Sequence, residues 1–167
     1  MVVTEGKQHD VSSEAGLLSF YDVAFDDVYR IAARLTWGDR QAAEDLVQDA
    51  FVRLVRSVRS GAVTTVGIGW MVTTVRRLHI DGLRATDSER RRLRVVAPLS
   101  QSASTSSNDA LGMLDGLNDR ERTAIILRYV DDLSVAEVAD LMGDSLRATE
   151  SLLQRAKRKV RNTRSAS

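Results

Sequence analysis

Ser134-Val-Ala-Glu137-Val-Ala-Asp-Leu-Met142-Gly143-Asp144-Ser145-Leu146-Arg147-Ala-Thr149-Glu150-Ser151-Leu-Leu153-Gln154-Arg155-Ala156-Lys157-Arg158-Lys-Val160-Arg161 spells two helices and the turn between them. Ser134 and Glu137 form a capping box, in which hydroxyl and carboxylate each satisfy a backbone N–H that the first turn leaves unpaired. The helix they open ends at Met142, because Gly143-Asp144 makes a tight turn. Ser145 then caps a longer basic helix that runs to about Arg161. Two capped helices meeting at a glycine turn make a helix-turn-helix. In the second helix Leu146, Thr149, Leu153, Ala156 and Val160 share one stripe and are expected to face inward. Arg147, Glu150, Ser151, Gln154, Arg155 and Arg158 are then expected to face outward. Early side chains of such a helix reach base edges in the major groove, and later cations meet phosphates. A solvated helix end would also favour cations; the capped partner helix and glycine turn favour DNA.

Upstream, Asn118-Asp-Arg-Glu121 is a second capping box. It opens a helix to about Val130 that buries Ala124, Leu127 and Ile125 or Ile126. A short helix is expected before it, from Ala110 to Leu117. Pro98-Leu-Ser-Gln-Ser-Ala-Ser-Thr-Ser-Ser-Asn-Asp109 contains the only proline and no helical or strand period, which reads as a flexible linker. In the first half, Leu18, Tyr21, Phe25, Val28, Ala32 and Leu35 recur at helical spacing from Leu17 to Trp37. Gly38-Asp39 stops that helix, and Asp39 caps the next. The second stripe is Ala43, Leu46, Val47, Ala50, Leu54 and Val58, ending at Gly61. Gly61 to Gly69 mixes β-branched residues with three glycines and reads as a loop. A third helix spans about Trp70 to Arg84, with Met71, Val75, Leu78 and Gly82 on one side. The expected class is all-α, with two small helical domains on a flexible tether. The expected boundaries are a disordered tail at 1–16, a helical domain at 17–86, a linker at 87–109, a helix-turn-helix domain at 110–161 and a tail at 162–167.

The 167 residues are 43% hydrophobic but only 5% aromatic, with one proline, which favours packed helices over sandwiches or barrels. There is no cysteine, so disulfides, thiolate catalysis and cysteine-ligated metals are excluded. The two histidines, His9 and His79, stand in unrelated surroundings, and no cofactor or metal site is expected. No apolar run approaches the ~20 residues of a membrane span. The opening residues lack a signal-peptide layout, so a soluble cytoplasmic protein without membrane insertion is expected. Charge totals nearly cancel, 24 basic against 23 acidic, yet the signs are segregated. Residues 10–51 hold nine acids and three bases, 76–94 seven arginines and three acids, 115–144 eight acids and three arginines, and 147–164 seven bases and one glutamate. Two halves on one electrical plan suggest two modules, each with a protein-facing and a polyanion-facing part.

Glu44, Asp45, Gln48 and Asp49 lie off the apolar stripe of the second helix; taken alone, that is ordinary helix electrostatics. On the third helix Trp70 alone reads as core. Arg76, Arg77 and Arg84 are expected to project together along a phosphate backbone. His79 reads as a surface or packing residue. No acid, base and nucleophile converge at readable spacing, so the chain is not expected to be an enzyme.

Taken in order, the motifs Leu35-Thr-Trp-Gly-Asp39, Ala43-Glu-Asp-Leu-Val-Gln-Asp-Ala-Phe51, Trp70 and Arg76-Arg-Leu-His-Ile-Asp-Gly-Leu-Arg84 resemble the first module of a known family. Leu117-Asn-Asp-Arg-Glu-Arg122, Leu127-Arg-Tyr-Val-Asp-Asp-Leu-Ser134, Glu137-Val-Ala-Asp-Leu-Met-Gly143 and Glu150-Ser-Leu-Leu-Gln-Arg-Ala-Lys157 resemble its second. The family is that of the bacterial RNA polymerase sigma factors, extracytoplasmic-function group (group IV). The resemblance covers about 17–86 and 108–161.

It implies that the first module, region 2, docks on the β′ clamp helices of core RNA polymerase through Asp45, Gln48 and Asp49, and opens the −10 element. Arg76, Arg77, His79 and Arg84 would hold the melted strand, and Gly61 to Gly67 would be the loop that takes a flipped base. The second module, region 4, would bind the β flap and read the −35 element through Arg147, Glu150, Ser151, Gln154, Arg155 and Arg158. An anti-sigma factor is an expected partner. The chain departs from the family at Asn118, where proline is usual, and at Glu150 and Leu152, where basic residues are common. Glutamate prefers cytosine amino groups, so the base read is expected to change. The loop before Trp70 also lacks the family's frequent aromatic residue. The alternatives are a stand-alone helix-turn-helix regulator with an N-terminal dimerisation or sensing domain, and a helical adaptor whose basic segments are solubilising faces.

Overall fold

The computed structural model describes residues 7–94 and 116–164. The elements are β1 (His9–Asp10), α1 (Glu14–Leu35), α2 (Arg40–Arg59), β2 (Thr65–Val66), α3 (Ile68–Arg94), α4 (Asp119–Ile125) followed by a π-helical turn (Ile126–Val130), α5 (Val135–Met142) and α6 (Leu146–Arg164). The chain divides into two compact units after His79, within α3. Helices dominate, as the periodicity requires. Residues 1–6, 95–109 of the expected linker, 110–115 of the expected short helix and 165–167 lie outside the described residues.

In the first unit α1 packs along α2. Ala24, Val28, Ala32 and Leu35 of α1, and Ala43, Val47, Ala50 and Leu54 of α2, are all buried. Alanines on both helices let the backbones approach closely. The helices are joined by a reversal in which Trp37 and Gly38 both take positive φ, 59° and 80°. The Thr36 hydroxyl donates to the Ala32 carbonyl at 2.9 Å, and the Asp39 carboxylate accepts from the Ala42 N–H at 3.0 Å to start α2.

Three expectations are corrected here. The buried face of α1 is Phe20, Ala24, Val28, Ala32 and Leu35, so Leu18 (61% exposed) and Tyr21 (42%) are turned out. The reason lies at the N-terminus, where residues 9–10 of the expected tail form β1. It pairs antiparallel with β2, His9 opposite Val66 and Asp10 opposite Thr65, inside the stretch expected to be all loop. Val11 and Val66 are buried, and the Phe20 ring sits 5.3 Å from His9. α1 is rotated toward this pair and begins at Glu14, capped by Ser13. A Cβ on Gly16 would lie 2.3 Å from the Asp10 carbonyl oxygen, so only glycine admits the strand there. Lastly, α3 runs on to Arg94 through residues assigned to the linker, since no proline or glycine interrupts 83–94. Met71 and Val75 are buried as expected, whereas Gly82 faces open space.

In the second unit α4 and α5 pack on α6 around Ala124, Leu127, Val138, Met142, Leu153 and Ala156. The π-helical turn closes with the Asp131 N–H on the Ile126 carbonyl at 2.9 Å, a bond spanning five residues. Asp132 follows at φ 56°. Leu146 does not join the inward stripe of α6; it is 51% exposed at the first position of the helix. Leu152, a position where basic residues are common in the family, is buried on the inner side of α6.

Candidate nucleic-acid and protein interfaces

The helix-turn-helix is held by local chemistry at every joint. Both capping boxes form: Asn118 with Glu121, and Ser134 with Glu137. Gly143 ends α5 in the left-handed conformation, φ 60°, with its N–H on the Ala139 and Asp140 carbonyls. Ser145 caps α6, its Oγ accepting from the Ala148 N–H at 3.2 Å. Arg120 Nη2 donates to both Asp144 carboxylate oxygens at 2.6 Å, tying the head of α4 to the turn. Glu121, 4% exposed, accepts from the Asn118 N–H at 3.0 Å and from Lys159 Nζ at 2.7 Å, which pins α6 to α4.

These ties define what α6 presents. At ~100° per residue, Arg147, Glu150, Ser151, Gln154, Arg155 and Arg158 occupy one arc centred opposite the buried Thr149, Leu152, Leu153 and Ala156, and all six are exposed. Two flanking lysines turn toward their own unit. Lys157 Nζ lies 5.2 Å from the centre of the Tyr129 ring, and Lys159 meets Glu121. Arg147, Arg155 and Arg158 carry the outward positive charge, with Glu150 alone of opposite sign on that arc. Such a helix on a capped partner matches the docking geometry of a major-groove reader.

In the first unit Asp45, Gln48 and Asp49 are exposed on the outer side of α2. Asp45 accepts from Gln41 Nε2 at 3.0 Å, and Glu44 is paired with Arg40 at 2.7 Å. An aromatic ribbon joins α1 and α2, of which only Tyr21 and Phe25 were expected on the inward stripe: Tyr21 lies 5.3 Å from Phe25 and 4.7 Å from Phe51, and Phe25 lies 6.0 Å from Tyr29. Its signal was the run of apolar residues wider than one helix face.

The third-helix residues are not brought together as expected. Arg76 is 8% exposed, so it does not project with Arg77 and Arg84; one step along the helix turns it ~100° away from Arg77. His79 is half-buried, edge-on to Trp37 with ring centres 6.4 Å apart. Arg77 is exposed on one strip of α3, whereas Arg84, in the second unit, approaches Asp81 at 3.3 Å and donates from Nη2 to the Leu141 carbonyl at 3.4 Å. Trp70, half-buried, lies two turns before Arg77 on that same strip, which the reading of a lone core tryptophan missed. The loop between α2 and α3 is fastened at one end by β2, where the Val11 N–H also donates to the Thr64 carbonyl at 2.9 Å. Gly61, Ala62, Thr64 and Thr65 remain exposed. Among the described residues no group of His, Asp and Glu is placed to hold a metal ion, and no helix is long and apolar enough to cross a membrane.

Fold and surfaces define a two-unit helical protein whose second unit is a helix-turn-helix with an exposed, arginine-bearing face on its second helix. Family models narrow this: residues 21–89 match Sigma-70 region 2 and residues 107–160 match Sigma-70 region 4. The chain belongs to the sigma-70 family, in its extracytoplasmic-function (ECF) group. It is 30% identical over 77% of its length to the probable ECF RNA polymerase sigma factor SigI of Mycobacterium tuberculosis, covering 49% of that protein. It is 35% identical over 83% of its length to ECF RNA polymerase sigma factor BldN of Streptomyces coelicolor, covering 56% of that protein. The chain thus spans about half the length of these relatives. Its fold is similar to that of the sigma factor RpoE from Bartonella quintana, solved in complex with the anti-sigma factor NepR, with a TM-score of 0.55, 22% identity, and coverage of 87% of this chain and 94% of that one.

Proposed function

We propose that this chain is a non-catalytic specificity subunit that binds core RNA polymerase and directs it to promoters from the cytoplasm. The observation that carries the reading is the separation of its charged surfaces. One arc of α6 offers Arg147, Arg155 and Arg158 to solvent while the neighbouring lysines are engaged, and the outer side of α2 offers Asp45, Gln48 and Asp49. Guanidinium groups on a recognition helix suit a duplex −35 element. Carboxylates on α2 suit a basic surface such as that expected of the β′ clamp helices. The β flap is the expected partner of the second unit. Trp70 and Arg77 form a strip of one aromatic and one cation, the combination that holds unpaired bases and their backbone. In this reading Arg76 and His79 support α3 from within. An anti-sigma factor, as in the complex of the Bartonella relative, is the proposed regulator.

The division of labour is tested with purified core enzyme and run-off transcription. Arg155→Ala is expected to lower promoter-specific transcription and to reduce the salt slope of DNA binding by about one, with core binding kept. Asp49→Arg is expected to lose core binding, measured by gel filtration or calorimetry. Tight, sequence-specific duplex binding without polymerase, combined with no stimulation of core transcription, would favour a stand-alone regulator instead.

A further inference from the structure

The leading edge of α6 carries two side chains that phosphate attraction does not explain. Leu146 stands at the first helical position, more than half exposed, although its spacing matches the core stripe. Glu150 follows one turn later, exposed, and among the described residues it makes no ion pair, although Arg147 lies one turn before it. Gln154 comes a turn later still. Residues four apart are offset by ~40°, so Leu146, Glu150 and Gln154 form one strip, displaced from the strip of Arg147, Ser151 and Arg155. Over its first three members this strip holds no cation; Lys157, drawn to the Tyr129 ring, and Arg158 come only further along the helix.

Its chemistry is that of base edges. A leucine has no polar atom and suits the thymine methyl group. A carboxylate only accepts hydrogen bonds, so it suits the cytosine amino group and is repelled by the guanine N7 and O6 acceptors. Both features belong to pyrimidines. Four residues of helix advance ~6 Å, close to two steps of ~3.4 Å along one strand. We infer that Leu146 and Glu150 are specificity-determining residues that select a thymine and a cytosine on the same strand of the upstream duplex element. This rests on the function proposed above.

The test uses holoenzyme, formed from the full chain and core polymerase, on promoters randomised upstream of the melted region, with transcripts counted by sequencing. The wild type is expected to favour cytosine at one position by about ten-fold over guanine. Glu150→Gln should move that preference to adenine, and Glu150→Lys to guanine. Replacing thymine by deoxyuridine removes only the methyl group. It should weaken transcription by the wild type at a second position, one or two steps away, and have no effect with Leu146→Ala. Both residues are exposed, and circular dichroism with core-binding measurements checks that each variant folds. Specific transcription whose upstream preferences are the same in wild type and Glu150→Gln overturns this inference alone. Absence of specific transcription by the wild type overturns the sigma-factor reading and this inference with it.

Discussion

Lys159→Met isolates the tie between α4 and α6. Glu121 has a side chain only 5% exposed and would keep just its capping bond to the Asn118 N–H once the ammonium group is gone. Breaking a buried ion pair costs about 3–5 kcal/mol. The lysine side chain, however, is 46% exposed, so water already screens one partner, and a surface pair is worth at most about 1 kcal/mol. Between these limits the expected loss is about 1.5–2 kcal/mol. A unit of this size shifts by about 4–8 °C per kcal/mol, so its thermal transition should fall by roughly 6–16 °C. Urea unfolding followed by circular dichroism, on wild type, Lys159→Met, Glu121→Gln and the double variant, gives the coupling, expected at about 1 kcal/mol. The salt slope of DNA binding should stay unchanged in Lys159→Met, because this ammonium group points at α4. An equal cost of Lys159→Met in the wild-type and Glu121→Gln backgrounds would refute the assignment, as would a reduced salt slope.

Gly16→Ala places a methyl group 2.3 Å from the Asp10 carbonyl oxygen, so β1 must shift. A cost of about 1–3 kcal/mol is expected, with faster amide exchange at Val11 and Val66 as the local sign. Arg120→Ala frees Asp144 and should cost about 1–2 kcal/mol. Amide exchange at Asp144 and Ser145 should rise, and duplex affinity should fall although Arg120 is outside the proposed reading arc. Ser12 donates its hydroxyl at 2.6 Å and its N–H at 2.9 Å to the Asp10 carboxylate, holding that group below its ordinary pKa. A depressed folded-state pKa means the contribution is complete above the ordinary value of about 3.9 and lost as pH falls through the folded value. Ser12→Ala should raise the Asp10 midpoint in an NMR titration and move the acid loosening of β1 to higher pH.

Where a boundary is set by neighbours in the chain, it was legible. Ser134 with Glu137, Asn118 with Glu121, Asp39 and Gly143 each satisfy backbone groups a few residues away, and α5 spans Val135–Met142 as its caps imply. The six outward residues of α6 followed from the 3.6-residue period. The misses come from distant partners and from local shifts of helix start and phase that leave no mark in the sequence. Which flank of α1 is buried depends on a strand from the N-terminus pairing with Thr65 and Val66, and a two-residue ladder leaves almost no periodic trace. Arg76 reads as polar and outward in any pattern, yet it lies on the inward side of α3. Leu146 obeys the stripe and escapes burial at the first position of the helix, while Leu152 is buried one position early. The π-helical turn shifts phase by a single residue without a marker such as proline or glycine.

The clasp between β1 and β2 grips one end of the α2–α3 loop by amide and carbonyl groups rather than by side chains. Main-chain atoms are common to all residues, so the loop's anchorage is indifferent to the letters written at Ala62, Thr64 and Thr65. If that loop receives an extruded base, as the family resemblance implies, its preference can drift by point mutation while the scaffold beneath stays intact. On that condition, innovation in promoter choice and conservation of folding would be uncoupled at this one place.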